Sequence, residues 1–143
     1  MTGVSKFFFE VISPDGIFFQ GEVSEVSLPT PNGEITILPN HASLVTKLAE
    51  GEIKIYQDEK EKYIAITGGF LEVKDNKVML LSDYAVRTES IEIAKTEERK
   101  RRAEEKVKEK VDNTDFIIAE KDLRRSILEL KVAQNVKKRH RNT

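Results

Sequence analysis

The chain has 143 residues, 38% hydrophobic and 34% charged, with a formal net charge of −1. That length suits one ordinary domain, or a small domain with an appendage. It has no cysteine, which excludes disulfide scaffolds, thiol nucleophiles and Cys-ligated zinc, and no apolar run approaches the ~20 residues of a membrane span.

The first segment, "MTGVSKFFFEVIS", predicts no signal peptide, because its apolar run is short and Glu10 interrupts it. In "KFFFEVIS" (6–13) Phe7, Phe9 and Val11 point to one side and Phe8, Glu10 and Ile12 to the other, the period of a strand. "SPDG" (13–16) is a turn. Further strands are predicted at "GEVSEVSLP" (21–29), "GEITIL" (33–38), "SLVTKLA" (43–49), "GEIKIYQ" (51–57), "EKYIAIT" (61–67), "GFLEVK" (69–74) and "KVMLLSD" (77–83). Turn vocabulary separates them: "PTPNG", "PNH", "EG", "DEKE", "GG" and "DN". Short strands at this spacing predict a sandwich or flattened barrel of about 8 to 10 strands over residues 1–86.

The grammar then changes. From Ile91 to Val111 there is neither Gly nor Pro, and Glu, Lys, Arg and Ala dominate, a strong helix composition. A helix is expected over about 89–111. Glu97 with Arg101, Glu98 with Arg102 and Glu104 with Lys108 are spaced as i,i+4 pairs. Its apolar stripe is thin: Ala94, Ala103, Val107 and Val111. "DNTD" (112–115) reads as a turn, with Thr114 or Asp115 capping a second helix over about 116–138. There the apolar stripe is Phe116, Ala119, Leu123, Ile127, Leu130 and Ala133. The short connector favours an antiparallel hairpin over residues 87–143. The fold class is thus a two-part α+β chain, an all-β sandwich followed by a helical hairpin.

Charge divides the same way. Residues 1–85 carry 7 Lys/Arg against 13 Asp/Glu, and residues 86–143 carry 17 against 12. The basic second part predicts an acidic partner.

Reactive chemistry is nearly absent. With two histidines, no H-x-x-x-H, no HExxH and no calcium loop, no metal site is predicted. "GGF" (68–70) is neither a Walker loop nor a dinucleotide fingerprint, and no serine sits in a nucleophile elbow. His41 follows Pro39 and Asn40, a turn context that leaves it without an orienting partner. Gly68 and Gly69 fit a tight connection or bulge. The tail "KKRHRN" has no interleaved aromatics, which weighs against a free-standing sandwich with a nucleic-acid-binding hairpin, the alternative reading.

Taken together, these segments resemble a known family. "GEITILPNHASLV" (33–45) is similar to the Gly-Glu-Leu-Gly-Ile-Leu-Pro-Gly-His-x-Pro-Leu signature of the epsilon subunit of F-type ATP synthase. "TGGFLEVKDNKVMLLSDYAVR" (67–87) resembles its Ser-Gly-Gly-Phe-x-Glu-Val segment and the strand that follows. "FEVISPDGIFFQGEVSEVSLP" (9–29) is similar to its opening hairpin. The resemblance implies a non-catalytic rotor subunit without a resident cofactor. Its sandwich would sit on gamma and the membrane c-ring, and its hairpin would fold down or extend toward alpha and beta, where it restrains ATP hydrolysis. It implies that Glu34, Pro39, Asn40, His41, Gly68, Gly69 and Phe70 serve contacts to the c-ring and gamma, and that Arg124, Arg125, Lys131, Lys137 and Lys138 face beta. It also implies membrane association only through the complex. The location would be the cytoplasmic face of a bacterial plasma membrane, or the stromal face in a plastid.

One family motif departs. Some members bind ATP through Ile-Asp-x-x-Arg-Ala at the first helix. Here Ile91 matches, but Glu92, Lys95 and Thr96 replace the rest, and on the second helix Arg125 matches one basic position while Glu129 occupies another. Lysine does not reproduce an arginine fork, so no tight ATP binding is expected.

Overall fold

The computed structural model describes residues 5–109 and 112–141, in two compact units, Met1–Val86 and Arg87–Thr143. The first unit holds ten strands: β1 Phe7–Ser13, β2 Gly16–Val23, β3 Glu25–Thr30, β4 Gly33–Ile37, β5 Leu44–Leu48, β6 Gly51–Gln57, β7 Lys60–Ile66, β8 Gly69–Lys74, β9 Lys77–Leu81 and β10 Ala85–Arg87. They form two five-stranded sheets, ordered β2-β1-β9-β8-β5 and β10-β7-β6-β3-β4. β1 pairs antiparallel with β2 and parallel with β9.

The expected alternation holds in β1. Phe7, Phe9 and Val11 are buried, while Phe8, Glu10 and Ile12 are half-buried. One sheet sends Phe7, Phe9, Val11, Phe19, Leu71, Val73 and Leu80 inward, and the other sends Val26, Leu28, Ile53, Ile55, Ile64 and Ile66 to meet them. Each such side chain contributes about 1.5–3 kcal/mol when fully buried. The Phe9 and Phe19 rings pack with centroids 5.8 Å apart. Two hairpins turn on residue pairs with positive φ, Asp58–Glu59 and Asp75–Asn76, the backbone that a two-residue connection between right-twisted strands demands.

The run 21–29, read above as one strand, is two. β2 belongs to one sheet and β3 to the other, and the chain changes sheets at Ser24. There the backbone N–H and the hydroxyl of Ser24 both reach the Tyr56 carbonyl, each at 3.0 Å. β10 also escaped the sequence reading.

In the second unit, Thr88–Ser90 form a 3-10 turn, and two helices follow, α1 Ile93–Lys108 and α2 Asn113–Arg141. The first helix therefore starts four residues later than the expected 89. Residues 88–90 are held instead by a 3-10 turn, with the Ser90 hydroxyl donating to the Arg87 carbonyl. Residues 110–111 of the expected span lie outside the described residues. The turn expected at 112–115 is mostly helix. Asp112 is the cap, accepting the Asp115 N–H on its carboxylate at 2.9 Å and the Phe116 N–H on its carbonyl at 3.0 Å, which satisfies two otherwise unpaired helix donors.

The stripes need correction too. Ala94 is exposed, and Thr96 and Ala103 are the buried positions of α1; Val111 is outside the described residues. On α2, Ala119 and Ala133 are buried as expected, but Phe116 and Ile127 are exposed, and Ser126, Leu128, Glu129 and Val132 are buried instead. Of the expected ion pairs, Glu98–Arg102 forms at 3.0 Å, whereas Arg101 turns to Glu98 and Glu105 and Glu104 turns to Lys100. The Arg101 hydrogen bond, foremost, holds the Glu98 carboxyl below its ordinary pKa.

Candidate functional site

Among the described residues no group of His, Asp and Glu could hold a metal ion. His41 has its Nδ1 2.7 Å from the Ala42 carbonyl. A carbonyl only accepts, so Nδ1 carries the proton. Asn40 takes the left-handed conformation, φ 62°, and its N–H donates to the Asn76 side-chain oxygen at 2.7 Å. The Asn76 amide donates in turn to the Lys6 carbonyl at 2.9 Å. The Pro39–His41 turn is thus tied to the β8–β9 hairpin and the start of β1. This is the work of a shaped surface loop.

Gly68 and Gly69 lie at the other end of β8. Gly69 has φ 151°, and a Cβ there would collide with the Leu81 carbonyl oxygen. The absent side chain lets β8 and β9 close together up to their last pair, Phe70 opposite Leu81. The Ser82 hydroxyl, buried, donates to the Gly68 carbonyl at 2.6 Å. Beside them opens a cavity of about 720 Å³ lined by Pro14, Pro31, Leu48, Gly69, Phe70 and Leu81 among others. Glu34, exposed on the edge strand β4 and opposite Pro29, is at this same end, because the Pro29 carbonyl holds Ala49 of the cavity rim.

The predicted contact residues therefore separate into two sets. Glu34, Gly68, Gly69 and Phe70 share one end of the sandwich, and Pro39, Asn40 and His41 share the other. Five steps along β8, at ~3.3 Å each, put roughly 17 Å between them.

The registers reveal a feature the sequence reading missed. Lys47 faces Phe70, Phe70 faces Leu81, Leu81 faces Ile12 and Ile12 faces Ile17. Paired residues share a face, so a row on the outside of the sheet is apolar across four strands, from Phe70 to Ile17, and ends at Lys47 on the fifth. Phe70 is 60% exposed, Leu81 43% and Ile17 61%; Val45, one row away on β5, is 75% exposed. Apolar residues that neighbour one another on an outer face mark a partner surface. The available signal was the doublet Leu80–Leu81, where one of two consecutive apolar strand residues must face outward.

On α2, Arg124, Lys131 and Lys138 are exposed and spaced by seven, which sets them in one stripe. Arg124 pairs with Glu120 at 3.6 Å. The structure does not bring the other two predicted cations to this stripe. Arg125 is half-buried and shares a groove with Arg99, Arg102 and Lys106, and Lys137 lines a different groove with Ile93, Lys100 and Glu104. At the start of α1, Lys95 is engaged by Glu92 at 3.0 Å.

Sequence reasoning also missed Arg99. Its guanidinium reaches from α1 to two carboxylates of α2, Asp122 and Glu129, at 2.8 Å each. Burial draws the Arg99 pKa down, but the Asp122 hydrogen bond and the Glu129 and Asp122 charges outweigh it and leave it above the ordinary arginine value.

The sequence profile described as ATP synthase, Delta/Epsilon chain, beta-sandwich domain matches residues 6–88. The chain is similar to the ATP synthase epsilon chain of Caldanaerobacter subterraneus subsp. tengcongensis, 39% identical over 128 residues, covering 89% of this chain and 93% of that one. It is 36% identical over 132 residues to the epsilon chain of Halorhodospira halophila, covering 91% and 94%. Among solved structures it resembles a chain of the Euglena gracilis mitochondrial ATP synthase (OSCP/F1/c-ring), with a TM-score of 0.67 and 25% identity over 94% of this chain and 84% of that one. A chain from the Tetrahymena thermophila mitochondrial ATP synthase central stalk and c-ring, at 16% identity and a TM-score of 0.56 over 92% and 99%, shares the fold.

Proposed function

The chain belongs to the delta/epsilon chain family of ATP synthase, and on that premise we propose that it is the non-catalytic central-stalk subunit of an F-type enzyme, joining the c-ring to gamma and restraining ATP hydrolysis through its hairpin. The observation that carries this reading is the apolar row Phe70–Leu81–Ile12–Ile17 beside the cavity. A rotor subunit needs a rigid, permanently docked surface, and a row fixed by β pairing supplies one. The apolar row with Phe70 and Leu81 docks on gamma, the Pro39–His41 end adds a second contact there, and the exposed Glu34 serves the polar c-ring loops. The subunit is peripheral to the membrane. No helix among the described residues is long and apolar enough to cross it, and the complex holds the chain at the cytoplasmic face of a bacterial plasma membrane. A tagged chain should bring gamma with alpha and beta out of solubilised membranes; recovery without gamma would refute the reading.

Restraint of hydrolysis is assigned to the cationic stripe of α2 and an acidic surface of beta. Replacing Arg124, Arg125, Lys131, Lys137 and Lys138 with alanine together should relieve inhibition, with Arg124, Lys131 and Lys138 accounting for most of it because they share one face. Three exposed pairs at about 0.2–1 kcal/mol each shift a two-state balance by roughly three- to a hundredfold. Steady-state hydrolysis by the assembled head measures this, and undiminished inhibition by the five-fold variant would remove the electrostatic account.

The hairpin works without bound ATP. Lys95 is already paired with Glu92, and Glu129 stands where a cation would be needed for phosphate. Titration calorimetry of the isolated chain should detect no affinity tighter than ~1 mM; a micromolar constant would reverse this conclusion.

A further inference from the structure

The fully buried positions of the seam between α1 and α2 are small side chains, with Ile93 and Leu130 half-buried at a groove beside them. Thr96 and Ala103 come from α1, and Ala119, Ser126 and Ala133 from α2, all buried. Such residues let backbones approach but bury little apolar area. The two hydroxyls do not bridge the helices. Thr96 Oγ1 donates to the Glu92 carbonyl at 2.9 Å and Ser126 Oγ to the Asp122 carbonyl at 2.7 Å, each within its own helix.

Across this weak seam runs the Arg99 fork. Nη1 donates to Glu129 Oε2 and Nη2 to Asp122 Oδ1, both at 2.8 Å. The two acids are seven residues apart and so lie on one face, two turns from each other. One guanidinium between them fixes the register, because a slip of one helical turn, about 5.4 Å, would take it off at least one acid. The Glu129 side chain is only 5% exposed. A buried carboxylate that loses its arginine is strongly disfavoured, whereas one released to water is not. The fork therefore favours the closed hairpin over any form in which the helices separate. It adds nothing to either helix alone.

We propose that Arg99 is the latch of the hairpin: by holding Asp122 and Glu129 together it sets how often the two helices part, and so how readily the hairpin is released toward its inhibitory docking. The inference rests on the reading of the hairpin as a two-state element. It makes the closed form self-contained, and it makes opening respond to ionic strength and to any cation-bearing partner that competes for the same two acids.

The chain has no cysteine, so two can be introduced cleanly at Glu97 and Gln134, which line one groove, for spin-label distance measurement in the full-length chain. The parent should give a short distance that lengthens in part on addition of gamma. Arg99→Met should raise the ratio of long to short distances at least about tenfold. Arg99→Met with Glu129→Leu, which replaces the ion pair by apolar groups, should close again and lose its response to salt between about 0.05 and 1 M. Arg99→Lys, which keeps the charge and loses the fork, should open partly and remain salt-sensitive. It serves as the decisive variant if Arg99→Met loses its helical circular dichroism. Parent-like distances in both Arg99→Met and Arg99→Lys would overturn the latch. A parent that stays short with gamma present would instead overturn the two-state reading on which the latch depends.

Discussion

Replacing Gly69 with alanine is expected to lower the melting temperature of the sandwich by roughly 10–25 °C, the largest effect of adding a methyl group at any described glycine. Two causes act together. At φ 151° the backbone occupies a region essentially reserved for glycine, at a cost of about 1–3 kcal/mol for another residue. The new Cβ would also meet the Leu81 carbonyl oxygen, with the Leu81 carbonyl carbon at 3.1 Å and Ser82 Cα at 3.2 Å behind it, and backbone cannot rotate away as a side chain can. A total near ~3 kcal/mol translates to about 4–8 °C per kcal/mol in a domain of this size. Gly16→Ala offers the contrast. Its φ is also positive, 116°, but nothing lies within 4 Å of its Cβ position, so only the backbone cost applies. Thermal melts of the full chain followed by circular dichroism would measure both. Equal losses would mean that the crowding at Leu81 has no energetic weight.

The apolar row carries the second large expectation. Phe70→Asp with Leu81→Asp should weaken binding to gamma by roughly 10²–10⁴-fold. Two buried side chains at about 1.5–3 kcal/mol each supply that range. The fold should survive, because both residues face away from the core and keep their backbone pairing. Lys60→Ala, in the hairpin between β6 and β7, should bind as the parent does. Surface plasmon resonance with immobilised gamma, alongside a melt to verify folding, distinguishes a lost contact from a lost fold. Parent-like affinity in the double variant would move the gamma contact off this sheet.

What the sequence allowed to be read, and what it hid, follows from how local each determinant is. Alternation in "FFFEVIS" places Phe7, Phe9 and Val11 in the core because period two is a property of seven adjacent residues. Asp75–Asn76 announces its turn for the same reason. The sheet change at Ser24 left only a faint mark. The polar–apolar alternation slips by one residue there, with Ser24 and Glu25 both polar between Val23 and Val26, and its cause, the Tyr56 carbonyl, is 32 residues away. On α2 the pattern was legible but ambiguous. Large apolar residues at Phe116, Leu123, Ile127 and Leu130 dominate any hydrophobic stripe, whereas the face that meets α1 uses Ala119, Ser126 and Ala133, whose value lies in being small. Arg99 was hidden most completely. It sits in a run of charged residues, and its partners are 23 and 30 positions distant. The contact residues were recognised as a set through resemblance to a family. Their division between two ends of the sandwich required the register of β8.

The parallel pairing of β1 with β9 has a consequence for how the chain is made. Phe8 lies beside Lys77, and Ile12 beside Leu81. Of its sheet, β1 is made first and waits for β9, the last. At ~5–20 residues per second, almost seventy intervening residues take roughly 4–14 s. During that interval β1 can pair only with β2, and Phe7, Phe9 and Val11 gain cover only step by step, as β3, β4, β6 and β7 of the opposing sheet emerge. Contacts this distant in sequence also slow folding after release, since loop closure must precede any reward for it. The nascent chain thus presents an apolar hairpin with one open edge, the form most prone to pair with a neighbour. A chaperone that binds short aromatic segments would find its target in "KFFFEV", and would be needed until Leu81 has emerged.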